Sequence, residues 1–476
     1  MQNYTISKES VKLLEELKSS NIRFAHWKSN NHLLKSLAGK TDLDILIKPD
    51  DRSQFESSMQ HLGYKKLISQ PWSSYPNVDD WIGLDYETGS FLHIHTHYAL
   101  VTGIQHVKHL YLPWLDTFFD HVITDEHTGW PIPKPELEAL ILFVRIWAKM
   151  PPSERIKSTP TIPPYIKEEL ISLLRRSSMN DLEALCTELY LHIPGDFSAS
   201  ISSILEEQDS NVILKISQFF YEQLKPFFRL PWSLSLLKSN YFRFNIIAQK
   251  YSTRLLGPKR FGKTLQGGGK VIALIGSDGS GKSTLSNDLL EWLTYKIDTH
   301  YFYLGKNPYI RSNKKTILSK SDLLFSDNRL SKLMRRKLGK LFYILLINKK
   351  LNSLRLAKKM SSNGSVIICD RFPQKSILGI NDGPNLQQQS NDWWAKSEMN
   401  LFNKINEVEA DIVIRLQVSP EVAAARKPEH DRESIRKKCE IIDQITFEHT
   451  TVINVDADKP YNQVLSNVKQ EIWKLL

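Results

Sequence analysis

The residues VIALIGSDGSGKST, at positions 271–284, form the stretch that decides the fold of the C-terminal part of the chain. The five apolar residues at its start predict a buried β-strand, and residues 276–283 match the pattern Gly-x-x-x-x-Gly-Lys-Ser/Thr. A candidate helix at 284–293 follows without a break. A loop of this pattern between a strand and a helix turns its backbone amides toward phosphate oxygens. The stretch therefore predicts a nucleotide-binding α/β domain.

The individual positions of this loop have distinct expected roles. Lys282 is placed to reach the β and γ phosphates of a nucleotide, and the Ser283 hydroxyl is placed to ligate Mg²⁺. The other positions expected to contact phosphate are Gly276, Ser277, Gly279, Ser280, Gly281 and Thr284. We therefore expect ATP and Mg²⁺ as the cofactors of this part of the chain.

The alternation of helical and strand-like patterns predicts several domains in a chain of 476 residues. From residue 271 onward apolar strands alternate with helices, which predicts a doubly wound parallel sheet and assigns 271–476 to an α/β phosphoryl-transfer domain. Residues 1–130 mix short helices and strands and predict a smaller α+β domain. Residues 131–254 predict a helical middle region, and the Gly- and Lys-rich residues 255–270 predict a linker.

Composition and charge narrow the class of protein. A hydrophobic content of 41% is enough for packed cores, and three cysteines without Cys-x-x-Cys spacing predict neither a disulfide framework nor a zinc site. The chain shows no signal-peptide pattern and no apolar run long enough to span a bilayer, so we expect a cytoplasmic protein. A net charge of +11 favours acidic partners without choosing among them. Residues 329–359 predict a long basic helix, either solvated or in contact with a membrane surface or another polyanion.

Two further patterns accompany the phosphate loop. The apolar strand predicted at 366–369 delivers Asp370 and Arg371 to the sheet edge at which open α/β sheets hold ligands. Asp370 is a candidate for orienting Mg²⁺, and Arg371 is a candidate for holding an acceptor phosphate. After the strand predicted at 412–417, Arg426 and Arg432 are candidates for covering the phosphoryl group during its transfer.

These four patterns together resemble the thymidylate kinase family, in the family's order and over about 200 residues. They are the loop, the triplet Asp370-Arg371-Phe372, the lid-like RKPEHDRES of residues 426–434 and the strand INVDADKP of residues 453–460. The resemblance implies ATP-dependent phosphorylation of a monophosphate or related acceptor. It also implies that Asp278 lies near the acceptor sugar or the magnesium, that Arg371 holds the acceptor phosphate, that Arg426 and Arg432 belong to a lid, and that residues 455–458 lie near adenine.

The chain departs from that family where the family recognises its acceptor. The thymine-reading stretch ending Ala-Tyr-Gln is absent from residues 370–384, and residues 303–308 replace the family's Arg-Pro-Gly-Gly-Thr segment. We therefore expect an acceptor other than thymidylate.

A second candidate site lies near the N-terminus. Asp42 and Asp44 are two residues apart on a predicted strand, so both project from one face, as the paired carboxylates that bind the metal of nucleotidyl transfer do. Lys28, in the preceding Trp-Lys-Ser turn, is placed to meet nucleotide phosphates. The order helix, Trp-Lys-Ser turn, helix, GKTDLDILI strand, helix and hairpin resembles the nucleotidyltransferase superfamily.

That superfamily usually takes a third carboxylate from a later strand. The corresponding strand here carries His93, His95 and His97, which alternate and so share one face. The third metal ligand is then either a histidine such as His93 or missing, and a structural role for the three histidines stands beside a metal-binding one. The domain is expected either to transfer a nucleotide or to bind a nucleotide or sugar phosphate without turning it over.

The combined expectation is a two-site transferase that phosphorylates a nucleotide, sugar or sugar phosphate. Fusions of this kind are reminiscent of bacterial surface-polysaccharide biosynthesis enzymes, by analogy only. An alternative is a nucleotide-regulated module that nucleotidylates or docks on a protein or nucleic acid. A further alternative is that one of the two sites is inactive.

Overall fold

A computed structural model describes most of the chain. It covers residues 4–157, 160–256, 260–305, 308–312, 315–317, 332–374, 384–386 and 392–476, and for 253–256, 312, 315–317, 332–338 and 406 it covers the backbone only. The chain forms two compact units, Met1–Ala248 and Gln249–Leu476, so the boundary falls inside one long helix, Trp232–Leu256. The basic segment at 329–331 and most of 370–384 beyond Gln374 lie outside the described residues.

Unit 1 begins as an α+β domain and continues as helices. Its strands are β1 Phe24–His26, β2 Leu43–Ile47, β3 Lys65–Ile68, β4 Val78–Leu84, β5 Phe91–His97, β6 Val101–Thr102, β7 Leu110–Tyr111, β8 Val122–Thr124 and β9 Pro131–Pro133. Its helices are α1 Lys8–Ser19, α2 Leu33–Leu37, α3 Arg52–His61, α4 Leu115–Asp120, α5 Pro135–Lys149, α6 Pro152–Arg155, α7 Pro164–Arg175, α8 Met179–Glu188, α9 Phe197–Glu206, α10 Ser210–Gln223 and α11 Trp232–Leu256.

Five strands of unit 1 pair in the order β1-β2-β5-β4-β3. β2 runs parallel to β5, whereas β1–β2, β4–β5 and β3–β4 are antiparallel. The strand predicted at 43–47 is confirmed as β2, because its apolar residues bury one face against α1 and α3. The turn at Glu87–Gly89 joins β4 to β5 as predicted. This sheet brings the acidic end of β2 beside the histidines of β5.

The helical residues of unit 1 pack into one core rather than into a separate unit. Pro135 starts α5, where a proline needs no hydrogen-bond partner for its nitrogen. α5 is buried along nearly its whole length, and its core cluster also holds Trp27 and Leu46 of the sheet domain. The predicted helical middle region is thus continuous with the sheet domain through shared apolar packing.

Unit 2 is the α/β domain. Its strands are β10 Thr264–Leu265, β11 Val271–Gly276, β12 Thr299–Tyr303, β13 Tyr309–Ser312, β14 Lys315–Ile317, β15 Val366–Asp370, β16 Ile412–Gln417 and β17 Thr451–Asp456. Its helices are α12 Lys282–Thr294, α13 Lys332–Ser362, α14 Trp393–Asn406, α15 Pro420–Arg426, α16 Arg432–Gln444 and α17 Tyr461–Leu475.

The main sheet of unit 2 has the order β14-β13-β12-β15-β11-β16-β17. β12, β15, β11, β16 and β17 are parallel, which accounts for the continuous apolar strands that the sequence presents. The expectation of a parallel sheet needs one correction, because β13 and β14 extend it with antiparallel pairs. The predicted phosphate loop follows β11, the strand between β15 and β16.

The expected linker at 255–270 is also only partly correct. Residues 255–256 still belong to α11, and residues 261–265 are bonded into unit 2: the amides of Phe261 and Gly262 donate to Asp298, 3.1 and 2.9 Å away, and the Leu265 amide donates to Gly364. Glycine and lysine content predicted a linker, but local composition could not predict a buried acceptor in another part of the chain. In the described part of the chain, no helix is long and apolar enough to cross a bilayer.

The carboxylate of Asp298 yields a test of this anchoring. Besides the two amides, it accepts from the Ser365 hydroxyl at 2.7 Å and contacts His300 Nε2 at 2.9 Å. Burial alone would raise the pKa of Asp298, but its bond to His300 and the other donors outweigh burial and lower it to about 2. Its stabilisation is therefore full above about pH 4 and is lost as the pH falls toward 2.

We expect Asp298→Ala to lower the free energy of unfolding of unit 2 by about 3 kcal/mol at pH 7. The difference from the wild type should shrink at pH 3, when denaturant unfolding is followed at both pH values. Asp196→Ala, at an exposed carboxylate in unit 1, is the control. An unchanged stability for Asp298→Ala would contradict the anchoring of residues 261–265.

Candidate functional site

The phosphate loop lies between β11 and α12, as predicted. Gly279 and Gly281 have φ values of 84° and 90°, in the left-handed region that favours glycine. A Cβ on Gly279 would lie 2.6 Å from the Ala423 carbonyl oxygen, so a larger residue does not fit beneath α15. The first amides of α12 have no partner within the helix, and they lie where an anion can accept from them.

The Lys282 ammonium occupies the inside of this loop. It donates to the carbonyl oxygens of Gly276 at 2.7 Å and Ser277 at 2.6 Å. Burial lowers the pKa of Lys282 to about 8, although Asp370 and Asp278 oppose that shift. Phosphate oxygens are stronger acceptors for an ammonium than these carbonyls, because the bond is charge-assisted on both sides. The loop therefore already holds a cation that can move from these carbonyls to phosphate oxygens.

Asp370 stands next to the loop because β11 and β15 are parallel and in register, with Leu274 opposite Asp370. The carboxylate is buried, and the Tyr301 hydroxyl donates to its Oδ2 at 3.1 Å. Among the described residues nothing hydrogen-bonds to its Oδ1. A buried carboxylate oxygen with that vacancy fits Mg²⁺ or a metal-bound water. Tyr301 was not identified from the sequence, because no neighbouring residue indicated that its hydroxyl would reach Asp370.

Arg371 follows with an unusual backbone. Its φ of 60° is left-handed, which costs a residue with a side chain about 1 kcal/mol and is common at functional sites. Its guanidinium lies 5.7 Å from the centre of the Tyr303 ring, and Tyr303 stacks on Tyr309 with ring centres 5.1 Å apart. The edge of β12 and β15 therefore combines a cation with two aromatic faces. Residues 306–307, inside the segment that departs from the family, lie outside the described residues.

Asp278 in the loop is paired with a residue that the sequence analysis missed. Lys438 Nζ lies 2.6 Å from Asp278 Oδ2, and His430 Nδ1 lies 3.9 Å from the same oxygen. Burial raises the pKa of Asp278, but the hydrogen bond from Lys438 outweighs it and the pKa is lowered overall. Lys438 belongs to α16, six residues after Arg432, so its distance in sequence from the loop concealed it.

The two candidate lid arginines differ in position. Arg426, at the end of α15, donates to the Ala457 carbonyl at 3.0 Å and approaches the Gly279 carbonyl at 3.4 Å. It therefore links the phosphate loop to the end of β17. Arg432 is the first residue of α16 and is exposed. The described contacts place Lys438 rather than Arg432 beside the loop.

A cavity of about 360 Å³ opens beside the ends of β16 and β17. It includes Asp456 and Asp458 from the segment expected near adenine, and the Asp458 carboxylate accepts from the Ser419 amide at 3.0 Å. Its lining residues are Gln417, Val418, Ser419, Pro420, Cys439, Glu440, Asp443, Asp456 and Asp458. The lining includes four carboxylates, those of Glu440, Asp443, Asp456 and Asp458. They suit a ligand that donates hydrogen bonds, such as the amino group of a base or the hydroxyls of a sugar, better than they suit phosphate.

The second candidate site, in unit 1, centres on His95. Its Nε2 lies 3.0 Å from Asp80 Oδ1 and 3.7 Å from Asp42 Oδ2, and its Nδ1 lies 3.5 Å from Asp44 Oδ1. His93 Nδ1 lies 2.8 Å from Asp42 Oδ1, and ligand atoms of Asp42, His93 and His95 all lie within 4.8 Å of one another. Asp42, His93 and His95 are therefore close enough to share a divalent ion, with Asp44 and Asp80 beside the two ring nitrogens of His95.

Asp80 supplies the third carboxylate that the sequence analysis did not find. It lies on β4 directly opposite His95, in the antiparallel pairing of β4 with β5. The strand that corresponds to the superfamily's third acid, β5, carries histidines at the alternate positions and no carboxylate. Because β4 precedes β5 and pairs with it on the same face, its acid reaches the same position.

Lys28 forms an ion pair with Asp44. Its Nζ lies 2.8 Å from Asp44 Oδ1. Burial would raise the pKa of Asp44, but the Lys28 charge and hydrogen bonds from His95 and His97 hold it well below its usual range. Burial, followed by the charge of Lys28, lowers the pKa of His97 to about 3, so His97 is neutral at pH 7. Burial also opposes protonation of His95, yet its bonds to Asp44 and Asp80 raise its pKa.

A cavity of about 410 Å³ lies next to this cluster, between the Trp-Lys-Ser turn and helices α5 and α7. Its lining residues are Ser29, Leu142, Arg145, Ile146, Lys149, Met150, Pro151, Thr161, Ile162, Pro163, Tyr165, Ile166 and Glu169. Arg145 is only 8% exposed, its Nη2 approaches Ser29 Oγ at 3.5 Å, and its Nε and Nη1 have no hydrogen-bond partner among the residues described. The charge of Arg145 holds the pKa of Lys149 well below its usual range. These cations come from the helical region, and nothing in the sequence singled them out.

The pKa of Lys282 predicts how phosphate binding to the loop depends on pH. Because the pKa of Lys282 without phosphate is about 8, the affinity of the loop for tripolyphosphate should fall as the pH rises from 7 to 9. Below pH 8 the lysine is already charged, so binding needs no proton. At pH 9 binding should take up a proton, which calorimetry in buffers of different ionisation enthalpy measures. A constant affinity and no proton uptake in this range would contradict the assigned position of Lys282.

Comparison with known proteins finds similarity over part of the chain. No family model matches it. The uncharacterized ATP-binding protein YghR of Escherichia coli (strain K12) is 26% identical over 217 residues, covering 42% of this chain and 86% of YghR. The uncharacterized ATP-binding protein YghS of the same strain is 26% identical over 221 residues, covering 41% and 89%. A solved structure of deoxyadenosine kinase from M. mycoides with bound dATP aligns with 42% of this chain and 98% of its own, at 16% identity and a TM-score of 0.24. The chain is thus similar to two ATP-binding proteins over less than half of its own length.

Proposed function

We propose that unit 2 transfers the γ-phosphoryl group of MgATP to a small acceptor. The observation that carries this proposal is the convergence of Lys282 and Asp370 at the C-terminal ends of two neighbouring parallel strands. Lys282 is a cation inside a phosphate loop, and Asp370 is a buried carboxylate whose Oδ1 has no hydrogen-bond partner among the described residues. ATP is favoured as the donor because the similar proteins YghR and YghS carry the description ATP-binding.

The residues of this site have separate tasks in the proposed reaction. Lys282 exchanges its carbonyl acceptors for β- and γ-phosphate oxygens, and the amides of residues 279–284 bind the same groups. Ser283 and Asp370 hold Mg²⁺, which neutralises charge on the β and γ phosphates when it is bound. Arg426 lies at the rim of the loop, where it can stabilise charge that develops on the transferred group.

The acceptor is proposed to bind where Arg371 meets Tyr303. A guanidinium there suits an acceptor phosphate, and the stacked Tyr303 and Tyr309 suit the flat face of a base or the C–H face of a sugar ring. A nucleotide other than thymidylate, a sugar or a sugar phosphate all meet these requirements. A role in surface-glycan biosynthesis remains an analogy from domain order.

Replacing the loop lysine tests the kinase assignment. Lys282→Ala should lower transfer of labelled γ phosphate from ATP by at least about 100-fold, because it removes the cation that lies inside the loop on the Gly276 and Ser277 carbonyls. The assay uses the whole chain, Mg²⁺ and a panel of nucleotides, sugars and sugar phosphates. Lys296→Ala, at the far end of α12, is the matched control and should keep the wild-type rate.

Retained transfer by Lys282→Ala, with thermal unfolding unchanged, would exclude the kinase assignment. Transfer of AMP rather than phosphate in the same assay would point to the site in unit 1.

A second candidate function is nucleotidyl transfer in unit 1. It is favoured by Asp42, His93 and His95, whose ligand atoms lie within 4.8 Å of one another, and by Asp44 and Asp80, which lie 3.5 and 3.0 Å from the ring nitrogens of His95. Here Asp42 and Asp44 would hold the metal with His93 or His95. Lys28 and Arg145 would neutralise the nucleotide phosphates in the neighbouring cavity.

The double substitution Asp42→Asn with Asp44→Asn separates this function from the first. We expect it to abolish nucleotidyl transfer and to weaken Mn²⁺ binding, measured by electron paramagnetic resonance, by at least about tenfold. Phosphoryl transfer by unit 2 should be unaffected, and Lys282→Ala should give the reverse pattern. Mn²⁺ affinity and AMP transfer equal to the wild type would mean that the two carboxylates are structural.

A further inference from the structure

Helix α11 presents a stripe of large apolar side chains to solvent within unit 1. The apolar stripe consists of Leu234, Leu237, Tyr241, Phe244 and Ile247, each more than half exposed. Their spacings of three and four residues place them on one face of the helix. The buried residues Ser235 and Ser239 lie on the opposite face, toward the core. The face that carries Ser235 and Ser239 is therefore the packed one, and the stripe faces solvent.

Such a stripe requires an explanation. A single exposed leucine is ordinary, whereas a row of five apolar residues along a helix forms a patch of the kind that marks interaction sites. The core of unit 1 does not use the stripe. The covering partner must therefore offer apolar surface.

The charges around the stripe identify the kind of partner. Within unit 1, residues 223–248 contain four Lys or Arg and no Asp or Glu, in a chain whose net charge is +11. At about 100° per residue, Lys238 falls on one flank of the stripe, while Arg243 and Lys250 fall on the other. A partner that covers the stripe must consequently be anionic on both sides of an apolar zone.

A small cavity at the start of α11 adds a second, independent feature. It has a volume of about 240 Å³, and Arg229, Lys238 and His106 line it together with Tyr75 and Phe242. No carboxylate is among its lining residues. Two exposed cations and a histidine around a cavity of this size suit one phosphate group.

We propose that α11 docks unit 1 on an anionic phospholipid surface, with the apolar stripe between the acyl chains and a headgroup phosphate near Arg229 and Lys238. An interfacial helix has this composition: an apolar face, flanking Lys or Arg whose stems lie along the interface, and aromatic residues at the boundary. A second copy of the helix would cover the stripe but would bring cations against cations. A nucleic acid would meet the charges but would leave the stripe in water. This surface is separate from the basic helix expected at 329–359, and the inference is independent of the two proposed reactions.

Vesicle co-sedimentation of the full chain tests the proposal. The protein should sediment with vesicles of phosphatidylcholine containing about one-third phosphatidylglycerol, and should remain in solution with phosphatidylcholine alone. Leu237→Glu with Phe244→Glu should weaken binding to the anionic vesicles by at least about tenfold. Ile156→Glu with Tyr190→Glu makes the same change at two exposed apolar positions outside α11 and should bind as the wild type does.

A dye label gives a second readout, which does not depend on whether the glutamate variants fold. All three native cysteines are buried, so a Leu237→Cys variant takes an environment-sensitive dye at one position. Its emission should shift to the blue on anionic vesicles, and inorganic phosphate should not reproduce the shift.

Three results would overturn the proposal. One is vesicle binding that the substitutions at Leu237 and Phe244 leave unchanged. Another is a dimer in solution that these substitutions dissociate while vesicles bind nothing. The third is binding to duplex DNA that competes fully with vesicles and does not depend on the stripe.

Discussion

The constraint on which unit 2 depends is the parallel register of β15, β11 and β16. It places Leu274 opposite Asp370 and Gly276 opposite Leu416, so that the ends of three strands meet at one edge of the sheet. A shift of one residue would turn Asp370 to the other face of its strand, away from Lys282. The loop can be tight because Gly276 and Gly279 have no side chains: Gly276 leaves room for Ser280, and Gly279 leaves room for the Ala423 carbonyl. Chemistry at this edge is a consequence of how a buried parallel sheet must be connected.

The two units solve a similar electrostatic problem with different elements. In unit 2 a helix N-terminus and Lys282 lie at the loop that is proposed to bind phosphate, and the buried carboxylate of Asp370 follows the neighbouring strand. In unit 1 the carboxylates come from β2, the residue before it and β4, and the cations come from a turn and from α5. In both units polar atoms are buried without a described partner, namely Asp370 Oδ1 and the Arg145 guanidinium nitrogens. Leaving such atoms unsatisfied destabilises a fold, and at these two positions they support the proposed ligand sites.

Much of this arrangement was predictable from local patterns. β2, β11 and β16 could be placed closely because each is an apolar run with a polar residue or a glycine after it. The phosphate loop and Asp370 could be found because strand order puts the strand ends of an α/β sheet together. Asp80, Lys438 and Arg145 could not, because each reaches its site through pairing or packing with residues distant in sequence. The antiparallel strands β13 and β14, and the bonding of residues 261–265 to Asp298, were missed for the same reason.

The loop after β11 is proposed to hold the triphosphate of ATP, and a crystal structure of the chain with Mg²⁺ and a non-hydrolysable ATP analogue measures this directly. We expect the β and γ phosphates within the loop, with Lys282 Nζ moved from the Gly276 and Ser277 carbonyls to phosphate oxygens and the metal near Asp370 and Ser283. A loop without phosphate at saturating analogue, with Lys282 still on those carbonyls, would contradict it.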